Sequence, residues 1–301
     1  MKAFAIPLLV AALLALLPLG VGGYVLGLLT LAYYFGVFAM SWDLLFGFAG
    51  EVNFGPSFLI GLGAYSAGLL NHSFHLPIWI CVIAGAFTAV VGGVLLAVPA
   101  LRLSGPYFGL ITLVAVLLLQ NAIVLFAGIT GGEIGLDIPD IISIDDSTNY
   151  WVALGFMTVS GMILFGLSRS SVGLILQASG QDAIQAGALG FNVTKHKLAA
   201  FCVSALFSGL AGAMLIFYMG TASPGTVVEI GVGVQVIIAA VLGGRRTILG
   251  AALGAIFLIV AGELLRPLGQ LSTFVVSAVA LLVILFFPGG FLGTALHRGE
   301  G

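Results

Sequence analysis

The sequence predicts an all-α integral membrane protein, a polytopic bundle of about eight to ten transmembrane helices forming a single domain over residues 1–301. Three observations predict it. The hydrophobic fraction is 61% and the charged fraction 7%, far from the balance of a soluble globular chain. Runs of about 20 apolar residues recur, long enough to cross the hydrocarbon core as helices and unlike the short alternating segments of a membrane β-barrel. Glycine is abundant, with 44 residues, which suits helices whose backbones approach closely in lipid.

The expected spans are 4–20, 23–46, 56–71, 77–101, 106–128, 150–168, 198–220, 227–243, 248–265 and 270–287. Met1-Lys2 and the apolar stretch to Leu19 resemble a signal peptide, with Gly20 to Gly23 as the cleavage region. A retained first span is expected instead, because the chain re-enters the membrane at once. With a cytoplasmic amino terminus, Lys2, Arg102, Arg169, Lys195, Lys197, Arg245, Arg246 and Arg298 all fall inside, leaving Arg266 alone outside among the 9 basic residues. The positive-inside rule expects this asymmetry. The longest external segment, about 130–149, is acidic and carries Glu133, Asp137, Asp140, Asp145 and Asp146.

One long polar interruption lies between Arg169 and Lys197. Ser179-Gly-Gln181-Asp182 has the spacing of a capping box, so a helix is expected to start at Ser179 and to end at Gly190, where glycine takes the left-handed conformation without steric cost. Ala183, Ala186, Gly187 and Gly190 fall at i, i+3, i+4 and i+7, a narrow small-residue face bordered by Ile184 and Phe191. Such a face suits close approach of another protein's surface. It equally suits a connector helix lying on the bilayer or packed on its own bundle.

Glycines break a second place, Gly47-Phe-Ala-Gly50-Glu51-Val-Asn53-Phe-Gly55-Pro56, where proline also lacks an N–H. Exposed backbone at membrane depth must be buried in protein or line a water-filled cavity. Glu51 and Asn53 therefore mark either a re-entrant piece of a solute pathway or a cytoplasmic turn with a solvated carboxylate. The Gly243-Gly-Arg-Arg246 stretch reads as another cytoplasmic turn. Glu263 and Arg266 read as a local ion pair, Asp43 as a solvated interfacial carboxylate, and Gln120 and Asn121 as interhelical hydrogen bonders, with pore lining as the alternative. Cys81 and Cys202 read as buried thiols, and the histidines lie at span ends or in loops. No cofactor, metal centre or catalytic group is expected, and no basic run exists to track nucleic acid.

Gly47 through Tyr65, taken with Gly105-Pro-Tyr-Phe-Gly-Leu-Ile-Thr-Leu113, Thr130-Gly-Gly-Glu-Ile-Gly-Leu136, Ala183 to Gly190, Asn192-Val-Thr194, Lys197-Leu-Ala-Ala-Phe201 and Gly243, Gly244, Gly250 and Gly254, resembles the branched-chain amino acid ABC transporter permeases, in particular the LivM-type subunit. The resemblance runs from about residue 40 to 290. It implies a multi-pass permease subunit of a bacterial or archaeal inner (plasma) membrane, part of a binding-protein-dependent importer. Its implied partners are a second, LivH-type permease, two cytoplasmic ABC ATPase subunits and a periplasmic or lipid-anchored substrate-binding protein. The chain has no Gly-x-x-x-x-Gly-Lys-Ser/Thr loop to cradle phosphates, so energy would come from those ATPases. Translocation would involve Gly50, Glu51, Asn53 and Gly55. A cytoplasmic coupling loop at about 169–198 would place Gln181, Asp182, Ala183, Ala186, Gly187 and Gly190 at the ATPases.

The family pattern is not matched everywhere. Glu51 stands where glutamine is common, Pro56 where histidine is frequent, Gly187 where glutamate is common and Ala251 where proline is frequent; Arg245-Arg246 replaces a more glycine-like turn. Branched-chain or related hydrophobic amino acids are the expected solutes. Urea, short amides and other small acids remain open, as does a passive small-solute channel.

Overall fold

The computed structural model describes residues 2–103 and 106–269, with positions 271, 275 and 278 beyond them. The fold is all-α. In chain order the helices are α1 (Lys2–Leu14), α2 (Gly23–Asp43), α3 (Pro56–Phe74), α4 (Ile78–Ala100), α5 (Pro106–Leu125), α6 (Ala127–Thr130), α7 (Asp146–Ser168), α8 (Ser171–Gln181), α9 (Ala183–Ala188), α10 (Val193–Met219), α11 (Pro224–Val227), α12 (Ile230–Gly243) and α13 (Leu249–Leu264). Among the described residues 6 helical segments are long and apolar enough to cross a membrane: Gly23–Phe48, Ile78–Ala100, Tyr107–Leu125, Asp146–Ser168, Val193–Met219 and Pro224–Gly243. The expected span at 270–287 lies outside the continuously described residues.

Polar caps explain where helix ends differ from the hydropathy. α7 starts ahead of the apolar run because the Asp145 carboxylate accepts from both the amide and the hydroxyl of Thr148, each at 2.8 Å, which also holds that carboxyl below its ordinary pKa. α10 starts at Val193 because Asn192 Oδ1 accepts the Lys195 amide at 3.0 Å. The expected span 227–243 is met by α12 from Ile230 onward, preceded by the single turn α11 at Pro224–Val227.

The contacts divide the chain into two units, one of Met1–Asp43, Ser143–Leu167 and Val236–Gly301, the other of Leu44–Ile142 and Ser168–Gln235. In the first, α2 packs along α13, and a Cβ at Gly36 would lie 3.0 Å from Met157 Sδ and 3.6 Å from Ala252. The hydroxyls of Tyr33 and Tyr150 meet at 2.7 Å, and Tyr150 also reaches the Leu14 carbonyl at 2.7 Å. Glu263 and Arg266 form the expected ion pair at 3.0 Å, and Tyr24 hydrogen-bonds to Glu263.

Asp43 corrects the expectation of a solvated carboxylate: it is fully buried at the end of α2. Its Oδ1 accepts the Arg246 amide at 3.1 Å, and its Oδ2 accepts those of Thr247 at 3.1 Å and Ile248 at 3.0 Å. The turn before α13 makes this possible. Arg246 and Ile248 take positive φ of 63° and 46°, which aims successive N–H groups at one point. A buried charge is tolerated only when hydrogen-bonded in this way.

The second unit is built on α3, α4 and α10, which touch through glycine. A Cβ at Gly63 would stand 2.5 Å from Gly209 Cα, and one at Gly85 would stand 2.5 Å from the Gly63 carbonyl oxygen. In lipid, where apolar burial between helices gains little, such close backbone packing supplies dispersion contact. The far ends of these helices are tied by the β1–β2 pair, Leu136–Asp137 with Thr221–Ala222, and by Asn71, whose amide donates to the Leu76 carbonyl at 2.9 Å and to Asp140 at 2.7 Å. Among the described residues Asn121 bonds within its own helix: it is exposed and donates to the Leu117 carbonyl at 2.7 Å. Cys81 is buried, Cys202 is part-exposed, and both are free thiols.

Candidate translocation and coupling site

The glycine-broken segment belongs to the second unit. After α2 the backbone widens into a π-helical stretch, Leu44–Phe48, a distortion that is frequent at functional sites. Helix ends at Gly50, whose φ of 73° suits glycine. The five residues that follow are not helical, and α3 starts at Pro56 with Gly55 as its cap.

Each residue expected in this segment has a defined partner. A Cβ at Gly50 would lie 2.9 Å from both Cα and O of Gly180 in α8, and one at Gly180 would lie 2.6 Å from the Phe48 carbonyl oxygen. The two glycines therefore interlock, and alanine at either would force the backbones apart. Asn53 is 1% exposed and closes an Asx turn, its Oδ1 accepting the Gly55 amide at 2.8 Å. A Cβ at Gly55 would overlap the Thr112 carbonyl oxygen, and Thr112 Oγ1 accepts the Phe54 amide at 3.0 Å.

Glu51 is neither an unpaired acid nor a solvated one. Its Oε1 pairs with Lys197 Nζ at 2.6 Å, and the two side chains are only 16% and 15% exposed. Lys197 lies in the first turns of α10, directly after the polar interruption, so the pair joins the broken segment to the cytoplasmic loop expected at 169–198. Sequence reasoning placed Lys197 only among the inward charges, because nothing local links residues 146 positions apart.

The loop itself corrects the expected capping box. Ser179 does not start a helix: it is buried inside α8, which runs from a Ser170 cap to Gln181. Asp182 is the cap of the next helix, its Oδ1 accepting the amides of Ile184 at 2.9 Å and Gln185 at 3.0 Å. The reason lies in Gly180, which stays helical because its backbone is pressed on Gly50. Gly190 does take positive φ, 90°, just beyond the helix end.

With only 6 residues, α9 cannot present the expected stripe. Ala186 is 2% exposed and faces its own chain, whereas Gln181, Ala183, Gly187 and Gly190 face outward. The outward apolar surface consists of Ile184, 85% exposed, and Leu189, 75% exposed. Two buried hydroxyls of α3, Ser57 Oγ and Tyr65 Oη, have no hydrogen-bond partner among the described residues.

Broken helices, close glycine packing and apolar spans define a polytopic membrane protein. The chain belongs to the family described as the permease component of branched-chain amino acid transport systems, whose model matches residues 24–288. It is 28% identical over 297 residues to the high-affinity branched-chain amino acid transport permease LivM of Escherichia coli and 27% identical to that of Salmonella typhimurium, covering 87% of this chain and 68% of each relative. It is 26% identical over 290 residues to BraD of Pseudomonas aeruginosa, covering 88% of this chain and 93% of that protein. No solved structure matches the chain.

Proposed function

We propose that this chain is a permease subunit of a binding-protein-dependent ABC importer that moves branched-chain or related hydrophobic amino acids across a bacterial or archaeal inner (plasma) membrane. Two partner ATPases dock at the 169–198 loop through the outward face of α9, a second, LivH-type permease completes the pathway, and a periplasmic or lipid-anchored binding protein delivers the solute. ATP binding and hydrolysis shift the equilibrium between inward-open and outward-open states, which requires the ATPases to bind the two states with different affinity.

The observation that carries this reading is the link between the loop and the broken segment. The Glu51–Lys197 pair and the Gly50–Gly180 interlock give a displacement of α8 to α10 a direct route to residues 47–56. A passive channel has no use for such a route.

The test is uptake by the complete complex in vesicles. Radiolabelled leucine, valine, urea and acetamide are offered with the binding protein, with ATP or with a non-hydrolysable analogue. Amino acid uptake that depends on ATP supports the reading. Counterflow without nucleotide supports a channel, and uptake of urea or acetamide alone reassigns the solute. Orientation is checked with single cysteines at positions 145, 195 and 245 in a background without Cys81 and Cys202. Label from outside is expected at 145 alone.

A further inference from the structure

The amino end of α3 combines features that packing alone does not explain. The helix is 19 residues long and begins at the end of the broken segment, with no side-chain cap and no acidic residue in its first turn. A helix amino terminus carries partial positive charge, and its first amides have no intrahelical acceptor. Ser57, the second helical residue, is 0% exposed, and its hydroxyl has no partner among the described residues. A buried polar group without a partner is disfavoured and calls for a reason.

A second helix begins at the same place. α12 starts at Ile230, and its Gly233 lies against Pro56 and Ser57: a Cβ there would stand 3.2 Å from Ser57 Oγ and 3.4 Å from Pro56 Cδ. Just before it, Val228 packs on Gly61 of α3. Two interrupted helices thus bring their amino ends together around an unpartnered hydroxyl, and glycine keeps the facing position free of a side chain. Helix amino ends of this kind are where membrane transporters hold anionic groups of their solutes. Glu229, one turn before Gly233, is exposed, with its carboxyl beside Gly225 and Gly231.

We propose that the amino end of α3 is a carboxylate subsite of the solute pathway, in which Ser57 Oγ and the Ser57 amide donate to the carboxylate of an amino or organic acid. The assignment rests on the importer reading above and sharpens it: the permease itself selects solutes bearing a carboxylate over urea and simple amides. In the conformation described the subsite is covered, and solute reaches it when the first turn of α12 withdraws from α3.

The experiment is equilibrium binding of radiolabelled leucine to the purified permease–ATPase complex, competed with 4-methyl-2-oxopentanoate, leucinamide and urea. The keto acid, which keeps the carboxylate, is expected to compete, and leucinamide and urea are not. Ser57→Ala is expected to weaken leucine binding about ten-fold or more, the scale of a lost hydrogen bond to a charged group, with a melting temperature no lower than that of the wild type because the hydroxyl has no protein partner to lose. Gly233→Ala is expected to weaken binding too, since its Cβ would crowd Ser57 Oγ while alanine favours the helix. Leucine binding within two-fold of wild type in both variants, or leucinamide competing as well as leucine, overturns the subsite. A wild-type complex that takes up leucine but shows no carboxylate-selective binding also overturns it, leaving the importer reading intact. Failure of wild-type uptake overturns that reading and the subsite with it.

Discussion

The Glu51–Lys197 pair can be dismantled one side at a time, and the burial of its members sets the size of the effect. Exposed ion pairs contribute about 0–1 kcal/mol. Removing one partner of a fully buried pair costs roughly 3–5 kcal/mol, because the remaining charge is left uncompensated. With side chains 16% and 15% exposed and an N–O distance of 2.6 Å, this pair sits nearer the buried limit. Glu51→Ala is therefore expected to cost roughly 2–3 kcal/mol. Glu51→Gln keeps an acceptor for Lys197 Nζ and loses only the charge, so it should cost about 1–2 kcal/mol. Lys197→Ala combined with Glu51→Ala should recover part of the loss, giving a coupling of roughly 1–3 kcal/mol in a double-mutant cycle. The functional consequence separates a link from a local brace. In vesicles containing the complete complex, Glu51→Ala and Lys197→Ala should leave ATP hydrolysis running while uptake per ATP falls, and the exchange Glu51→Lys with Lys197→Glu should restore part of it. Glu51→Gln should assemble normally with a changed transport rate or solute preference. A coupling energy near zero, or single variants with wild-type uptake per ATP, would refute the reasoning.

The glycine interlock, the Asp43 turn and α9 each set further outcomes. Gly50→Ala places a side chain at φ 73° and 2.9 Å from Gly180 Cα, so it should lose about 1–3 kcal/mol and lower the yield of monodisperse protein in detergent, as should Gly180→Ala. Asp43→Asn turns an amide group toward some of the N–H donors of residues 246–248; a loss of about 2 kcal/mol is expected, read as a lower melting temperature and faster proteolysis at that turn. Gly187→Trp, whose Cβ would meet nothing within 4 Å, should insert normally but weaken recovery of the ATPases and coupled uptake, while Ala188→Ser stays mild. Ala186→Trp should instead damage the permease itself, because that position is 2% exposed; normal insertion of this variant would contradict the packing of α9.

The amino-acid sequence by itself determined the class of fold and the approximate extent of most helices. Hydropathy is a sum over neighbours in the chain, and membrane insertion responds to that sum, so α4 at Ile78–Ala100 and α13 at Leu249–Leu264 fall within a residue of the expected spans. Caps and turns are also local, which is why the positive φ of Gly190 and the Glu263–Arg266 pair were legible. Local reasoning failed where two local signals competed. Ser179 and Asp182 both carry capping chemistry, and the contact between Gly180 and Gly50 decided in favour of Asp182. It failed as well wherever a charge needed a distant partner. Asp43 reads as solvated until residues 246–248 fold over it, and Glu51 reads as a lone acid until α10 brings Lys197 beside it. The free energy of a charge in a low-dielectric interior depends on the groups within a few ångströms, and in a bundle of long helices those groups come from segments far apart in the chain.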